Sequence, residues 1–142
     1  TVAEGGAAVV IMHNRDNVDP ELDMLADMRR FYDHSLKLAD NAGIPHGHIM
    51  LDPGIGFGKT KDQNLFVLNH LEHFADYGVP LLIGVSRKSL LGAMVGAEVE
   101  ARLMATIAAN LAAAAHGATI FRVHDVAEHV TAFKVFDAIQ RA

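Results

Sequence analysis

Short apolar runs alternate along this chain with longer segments whose apolar residues recur every three or four positions. Residues 7–12, 49–51, 79–85 and 118–123 form the runs, rich in Val, Ile and Leu, and read as buried parallel strands. The first is expected to be covered on both faces. After it, Leu22, Leu25, Met28, Tyr32, Leu36 and Ala39 recur at helical spacing up to Gly43, with Asp19 as N-cap and Pro20 in the first turn. Thr60 and Gln63 fit a capping box, so a helix should begin at Lys61, carry Leu65, Leu68, Leu71 and Phe74 on one stripe, and stop before Gly78. A short helix follows the third strand as far as Val95 and Gly96. A longer one, from Glu98 to His116, should turn Val99, Leu103, Ile107, Leu111 and Ala114 inward. Asp125 with Glu128 should cap the last helix, with Val130, Phe133, Phe136 and Ile139 facing in. Residues 3–6 resemble the end of a helix at glycine.

The strand–helix pair thus recurs four times, which means a parallel sheet with right-handed crossovers. Two closures fit. An open doubly wound sheet needs helices on both faces. A (β/α)8 barrel needs eight strands in about 250 residues, so this α/β chain would supply half of one. The helix tail before the first strand favours the barrel, and an isolated half would leave a strand edge and an apolar face uncovered.

Composition narrows the chemistry. With 142 residues, 51% of them apolar, there is enough chain for one core. A net charge of −5 with no basic block sets nucleic acid aside as a partner. The absence of Cys excludes thiolate metal sites and fits a reducing compartment. No apolar run has the length of a membrane span and no signal-peptide layout opens the chain, so a cytoplasmic protein is expected.

Polar candidates gather where the strands end: His13 and Asn14, Asp52, residues 86–89, and Arg122 with His124. In either closure those ends share one mouth. Asp52 leaves an apolar strand and enters a loop holding Gly54, Gly56 and Gly58. That loop misses the Walker pattern at Pro53 and the dinucleotide pattern at Lys59, which leaves it organised around the carboxylate. Lys88 and Ser89 stand where a helix begins and suit an anion. Arg122 and His124 flank Val123 on one strand and point the same way, a cation pair fit for a diphosphate. The alternative is an Arg122 paired with Asp125 and a merely hydrogen-bonded His124. His13 suits a structural role, and no histidine shows metal-ligand spacing; His70 and His73 read as exposed.

Three ordered segments (residues 52–59 Asp-Pro-Gly-Ile-Gly-Phe-Gly-Lys, residues 84–89 Gly-Val-Ser-Arg-Lys-Ser, and residues 122–126 Arg-Val-His-Asp-Val) resemble the signatures of dihydropteroate synthases, and residues 12–15 resemble that family's fifth strand end. The resemblance implies that residues 1–142 are the carboxyl-terminal half of a pterin-binding TIM (β/α)8 barrel, its last four βα units, with the amino-terminal half absent. It implies a transferase of folate biosynthesis, condensing p-aminobenzoate with hydroxymethyl-dihydropterin pyrophosphate and releasing pyrophosphate. Asp52, Lys88, Met12, Phe57, Leu82 and Gly84 would bind the pterin. Ser89, Phe57 and Lys88 would bind the aminobenzoate. Arg122 and His124 would bind pyrophosphate, and with Lys88 carry the catalysis. Mg²⁺ would take its protein ligand from the absent half, no metal ligand being expected in this chain. The full-length enzyme would be a cytoplasmic homodimer and this chain alone inactive. Two alternatives are the pterin module of a methyltetrahydrofolate-type methyltransferase, which should lack the Arg-Val-His pair, and a non-catalytic half-barrel partner.

Overall fold

The computed structural model describes residues 2–95 and 102–142. Strands β1 (Val9–Met12), β2 (Ile49–Asp52), β3 (Leu82–Ile83) and β4 (Ile120–Phe121) alternate with helices α1 (Val2–Gly5), α2 (Met24–Asn41), α3 (Lys61–Leu68), α4 (Ser89–Val95), α5 (Arg102–Ala115) and α6 (Val126–Gln140). β1 pairs in parallel with β2, from Val9 opposite Ile49 to Met12 opposite Asp52. A parallel bridge from Leu51 to Leu81 joins β2 to the start of β3, which pairs with β4 through Leu82–Ile120 and Ile83–Phe121. The strands therefore lie side by side in chain order. That excludes a doubly wound sheet, whose strand order reverses at its switch point, and leaves half of a (β/α)8 barrel.

Alternation along these strands separates two faces. Leu51 and Ile83, both fully buried, lie on one face, and helix residues Met28, Tyr32, Val67, Leu71, Phe74 and Leu91 belong to the same core cluster. Full burial of each such side chain contributes about 1.5–3 kcal/mol. Val10, Met50 and Leu82 lie on the other face, which is only partly covered: Val10 is 42% exposed. The first strand, expected to be covered twice, is thus half open, because this face is the concave interior of a barrel that four strands do not close.

Local chemistry sets the helix starts. The Thr60 hydroxyl accepts from the Gln63 amide and the Gln63 side chain accepts from the Thr60 amide, so the capping box is complete. α2 starts later than the expected Asp19. Its N-cap is Asp23, which accepts from the Ala26 amide, while Asp19 closes a separate turn onto Glu21. The stripe beyond α3 continues as a 3₁₀ turn, Leu71–Tyr77, ending at left-handed Gly78.

Two expected faces differ. On α5 the buried residues are Thr106, Asn110 and Ala113, while Leu103, Ile107, Leu111 and Ala114 are half-exposed. On α6 the buried residue is His129; Val130 and Ile139 are 49% and 67% exposed, and Phe133 and Phe136 are half-exposed. Here buried polar residues are held by hydrogen bonds, Asn110 to His129 and Thr106 to Arg87 and Arg102, so burial does not follow hydrophobicity. The expectations at Gly96, Glu98 and Val99 lie outside the described residues. No helix among the described residues is long and apolar enough to cross a membrane.

Candidate active site

The loop after β2 folds onto the segment after β1. Gly54, Gly56 and Gly58 all have positive φ. A Cβ on Gly54 would overlap the His13 carbonyl oxygen, and one on Gly58 would overlap the backbone of Arg15. Glycine is required at both positions by conformation and by space. Lys59 ties the fold of this loop from inside. The residue is only 8% exposed, and its ammonium donates to the carbonyls of Gly54 and Phe57 at 3.1 Å and of His13 at 3.4 Å. Burial pushes the Lys59 pKa down to about 8, against the pull of Asp52 and Asp27. Asn64 accepts from the Gly56 amide at 2.7 Å.

Asp52 is buried at the end of β2, opposite Met12. Its Oδ1 accepts from the Gly54 amide at 2.7 Å, and its carbonyl accepts from the Tyr32 hydroxyl at 2.9 Å. Burial raises its pKa, while the Gly54 amide, Lys88, Arg122 and Lys59 favour the carboxylate. Lys88 donates to the Ile55 carbonyl and stands 4.6 Å from the centre of the Phe57 ring. Burial lowers the Lys88 pKa and Asp52 opposes the shift.

Arg122 lies over Gly84, where a Cβ would collide with the guanidinium. His124 is exposed and held by Ser86, whose Oγ lies 2.8 Å from Nδ1 and also accepts from the His124 amide. Asp125 does not pair with Arg122. Its carboxylate takes the Arg87 guanidinium as a fork, with Nε at 3.0 Å, and makes no side-chain cap on α6. The expected cap is therefore replaced by an ion pair, while His124 is hydrogen-bonded as the alternative reading held.

Asp52, Lys88 and Arg122 thus form one charge cluster, with Met12, Phe57 and Gly84 against its members. Leu82, half-buried, projects on the same sheet face as Asp52 by strand parity. Ser89 follows Lys88 in the chain, is exposed, and begins α4; no hydrogen bond or ion pair among the described residues ties it directly to the cluster. His13 is 1% exposed; its Nε2 lies 3.1 Å from Asp27, which also holds Arg15 and Arg30, while its buried Nδ1 has no hydrogen-bond partner among the described residues.

A family model described as "Pterin binding enzyme" matches residues 1–124. The chain belongs to the pterin binding enzyme family. It is 41% identical over 132 residues to the dihydropteroate synthase of Clostridium beijerinckii, covering 92% of this chain and 49% of that protein. It is 37% identical over 142 residues to that of Escherichia coli K12, covering 96% of this chain and 50% of that protein. Among solved structures, the dihydropteroate synthase of Clostridium difficile in the presence of pteroic acid superposes with a TM-score of 0.94 at 39% identity, over 99% of this chain and 54% of that one. The Xanthomonas albilineans synthase with 4-aminobenzoic acid superposes with a TM-score of 0.94 at 39% identity, over 99% and 52%. The chain spans about half the length of the curated relatives it matches.

Seen as part of a pterin binding enzyme, the site contains residues that sequence patterns passed over. Lys59 was visible only as a break in a nucleotide motif, and its three carbonyl partners come from loop geometry that no periodicity encodes. Ser86 and Arg87 stood among the strand-end candidates without roles. Their partners, His124 and Asp125, lie 38 positions away. The consecutive pairing of 86 with 124 and 87 with 125 follows the β3–β4 register and could have been anticipated from it.

Proposed function

We propose that this chain forms the carboxyl-terminal half of a dihydropteroate synthase, residues 1–142 supplying the last four βα units, and that the amino-terminal half completes the barrel. The observation that carries this is the cluster of buried Asp52 with Lys88 and Arg122 on the open concave face. A carboxylate there suits the amino and ring N–H donors of a flat heterocycle, and the cations suit its diphosphate tail.

In this reading Asp52 accepts from the pterin, Lys88 contacts its polar edge, and Met12, Phe57, Leu82 and Gly84 wall the pocket. Ser89, with Phe57 and Lys88, receives p-aminobenzoate. Arg122 and His124 bind the diphosphate and, with Lys88, are the catalytic groups. The aniline nitrogen attacks the pterin methylene carbon, and the bond to the diphosphate oxygen breaks with its electron pair leaving on pyrophosphate. The nitrogen then loses a proton. The protein needs no nucleophile, since holding the charge that develops on the departing group lowers the barrier. The described residues group no three His, Asp or Glu side chains fit to hold a metal. A Mg²⁺ ion on the diphosphate would take its protein ligand from the other half, and no step here passes through it. By family resemblance the whole enzyme is a cytoplasmic homodimer, and exposed Met94 and Met104 on α4 and α5 offer apolar surface for assembly.

Titration of a pterin into the full-length enzyme with and without pyrophosphate tests this. Tighter pterin binding with pyrophosphate, abolished by Asp52→Ala, supports a synthase. Normal pterin binding by Asp52→Ala overturns the pocket. The isolated 142 residues should show no turnover with both substrates, and detectable product would refute their inactivity.

A further inference from the structure

Among the described non-glycine residues, Arg87 alone has positive φ, at 55°. An arginine in the left-handed region is strained and persists only where its surroundings impose it. Here three groups do so. The Arg87 amide donates to Thr106 Oγ1 at 3.1 Å, and the Arg87 carbonyl accepts from the Arg102 guanidinium at 3.1 Å. The Arg87 guanidinium forks onto Asp125, whose side chain is 13% exposed.

The holding groups are themselves held. Thr106 is fully buried and spends its proton on the Arg102 carbonyl at 2.8 Å, which leaves its oxygen to accept from Arg87. Asp125 is fixed from behind: buried His129 donates from Nδ1 to the Asp125 carbonyl at 2.7 Å, and Asn110 donates to His129 Nε2 at 3.0 Å. Of the polar residues buried on α5 and α6, Thr106 thus reaches the turn at residues 86–88 and His129 reaches its partner Asp125, with Asn110 behind His129, its own side-chain oxygen unpartnered among the described residues. Apolar groups of the same shape can replace a buried hydrogen-bonded pair at little or no cost in stability, so polarity at these positions points to a demand for geometry.

That geometry aims the next two residues. Lys88 has its own anchors in the Ile55 carbonyl and the Phe57 ring. Ser89 is exposed, and the backbone at residues 87 and 88 sets the direction in which it leaves the chain.

We propose that Asp125 and Thr106 are positioning residues, which lock Arg87 in its left-handed conformation and thereby aim the Ser89 hydroxyl at the aminobenzoate. The inference rests on the synthase reading above. It adds two residues that touch neither substrate and a latch between the β3 turn and the β4 segment.

The test uses the full-length enzyme with steady-state kinetics for each substrate, and amide exchange at residues 87–89. Asp125→Asn and Thr106→Val should each raise KM for p-aminobenzoate about tenfold, the loss of one charge-assisted or buried hydrogen bond. KM for the pterin pyrophosphate should stay within about twofold, because Asp52 and the Lys88 anchors are untouched. Thr106→Ser, which keeps the hydroxyl, should restore wild-type values. Arg87→Gly removes both the side chain and the backbone cost, so adding Asp125→Asn to it should change nothing further. Equal shifts in both KM values, a Thr106→Ser as impaired as Thr106→Val, or multiplying effects of Arg87→Gly and Asp125→Asn would each overturn the latch. If the unaltered enzyme makes no dihydropteroate, the synthase reading fails instead. The latch is then decided by exchange: faster exchange of the residue 87 and 88 amides in Thr106→Val upholds it, and unchanged exchange refutes it.

Discussion

The loop after β2 and the segment after β4 both bring charge to the same mouth, yet they are built in opposite ways. The β2 loop takes most of its side-chain hydrogen bonds from its own residues and packs as a unit on residues 13–15. Gly54 bonds to Asp52, Lys59 to Gly54 and Phe57, Asn64 to Gly56, and Gln63 to Thr60. The β4 segment is organised by its neighbour. Arg122 lies where Gly84 has no side chain, His124 rests on Ser86, and Asp125 on Arg87. The Asp52 carboxylate therefore takes its side-chain hydrogen bond from within its own βα unit, while the cations are held by side chains and space from the neighbouring one. Damage to the first loop should be severe and local; damage to the β3–β4 contacts should be mild and felt by one ligand.

The sharpest way to break this comparison is Gly54→Ala. The residue has φ 62° and its Cβ would overlap the His13 carbonyl, so left-handed strain adds to a clash with backbone that cannot move alone. Roughly 3 kcal/mol or more of stability should be lost. Gly117→Ala is the control: φ is 99° but nothing lies within 4 Å of a Cβ, so only the strain of about 1–2 kcal/mol applies. Equal urea midpoints for the two variants would show that the loop is not pressed against residues 13–15.

Lys59→Met should come next, with a dependence on pH that gives it away. At neutral pH the variant leaves the Phe57 and His13 carbonyls without their ammonium donor, at about 1–3 kcal/mol. Burial holds the folded pKa at about 8 against 10.5 for an ordinary lysine. Between those values the unfolded chain binds more proton than the folded one, so this residue makes stability rise with pH across the window and adds nothing to the slope below it. The wild-type protein should gain up to roughly 3 kcal/mol over Lys59→Met between about pH 8 and 10.5. Parallel stability curves for the two proteins across that window would remove Lys59 from the interior of the loop.

What could be read from the sequence follows the same division. Thr60 and Gln63 stand three apart and bond to each other, so local spacing foretold their capping box. The strand ends were legible because parallel strands in a repeating βα pattern place their last residues at one mouth. The inward faces of α5 and α6 were not legible. Leu103, Ile107 and Val130 follow helical periodicity but lie on surface that this chain does not cover, whereas Thr106, Asn110 and His129 are buried because they bond across helices. Periodicity reports which residues are apolar, and this chain alone leaves part of that apolar surface uncovered. Lys59 was missed for a related reason: lysine is almost never buried unless its charge is met, and here backbone carbonyls meet it.

Ser86→Ala should be the mildest change and the most selective. Ser86 is 8% exposed, and its hydroxyl meets both the ring and the amide of His124. Removing it loses two hydrogen bonds, but His124 is exposed and water can take up the ring nitrogen. The net cost to stability should therefore stay near 1 kcal/mol. The imidazole, no longer pinned through Nδ1, would sample other rotamers, and holding it against a diphosphate would then cost entropy on binding. Pyrophosphate affinity in the full-length enzyme should fall by about five- to tenfold in calorimetric titration. Pterin affinity measured without pyrophosphate should not move, because Asp52 and its loop owe nothing to Ser86. A parallel loss of both affinities would mean that the two regions are one mechanical unit, and the contrast between a self-held acid and neighbour-held cations would collapse.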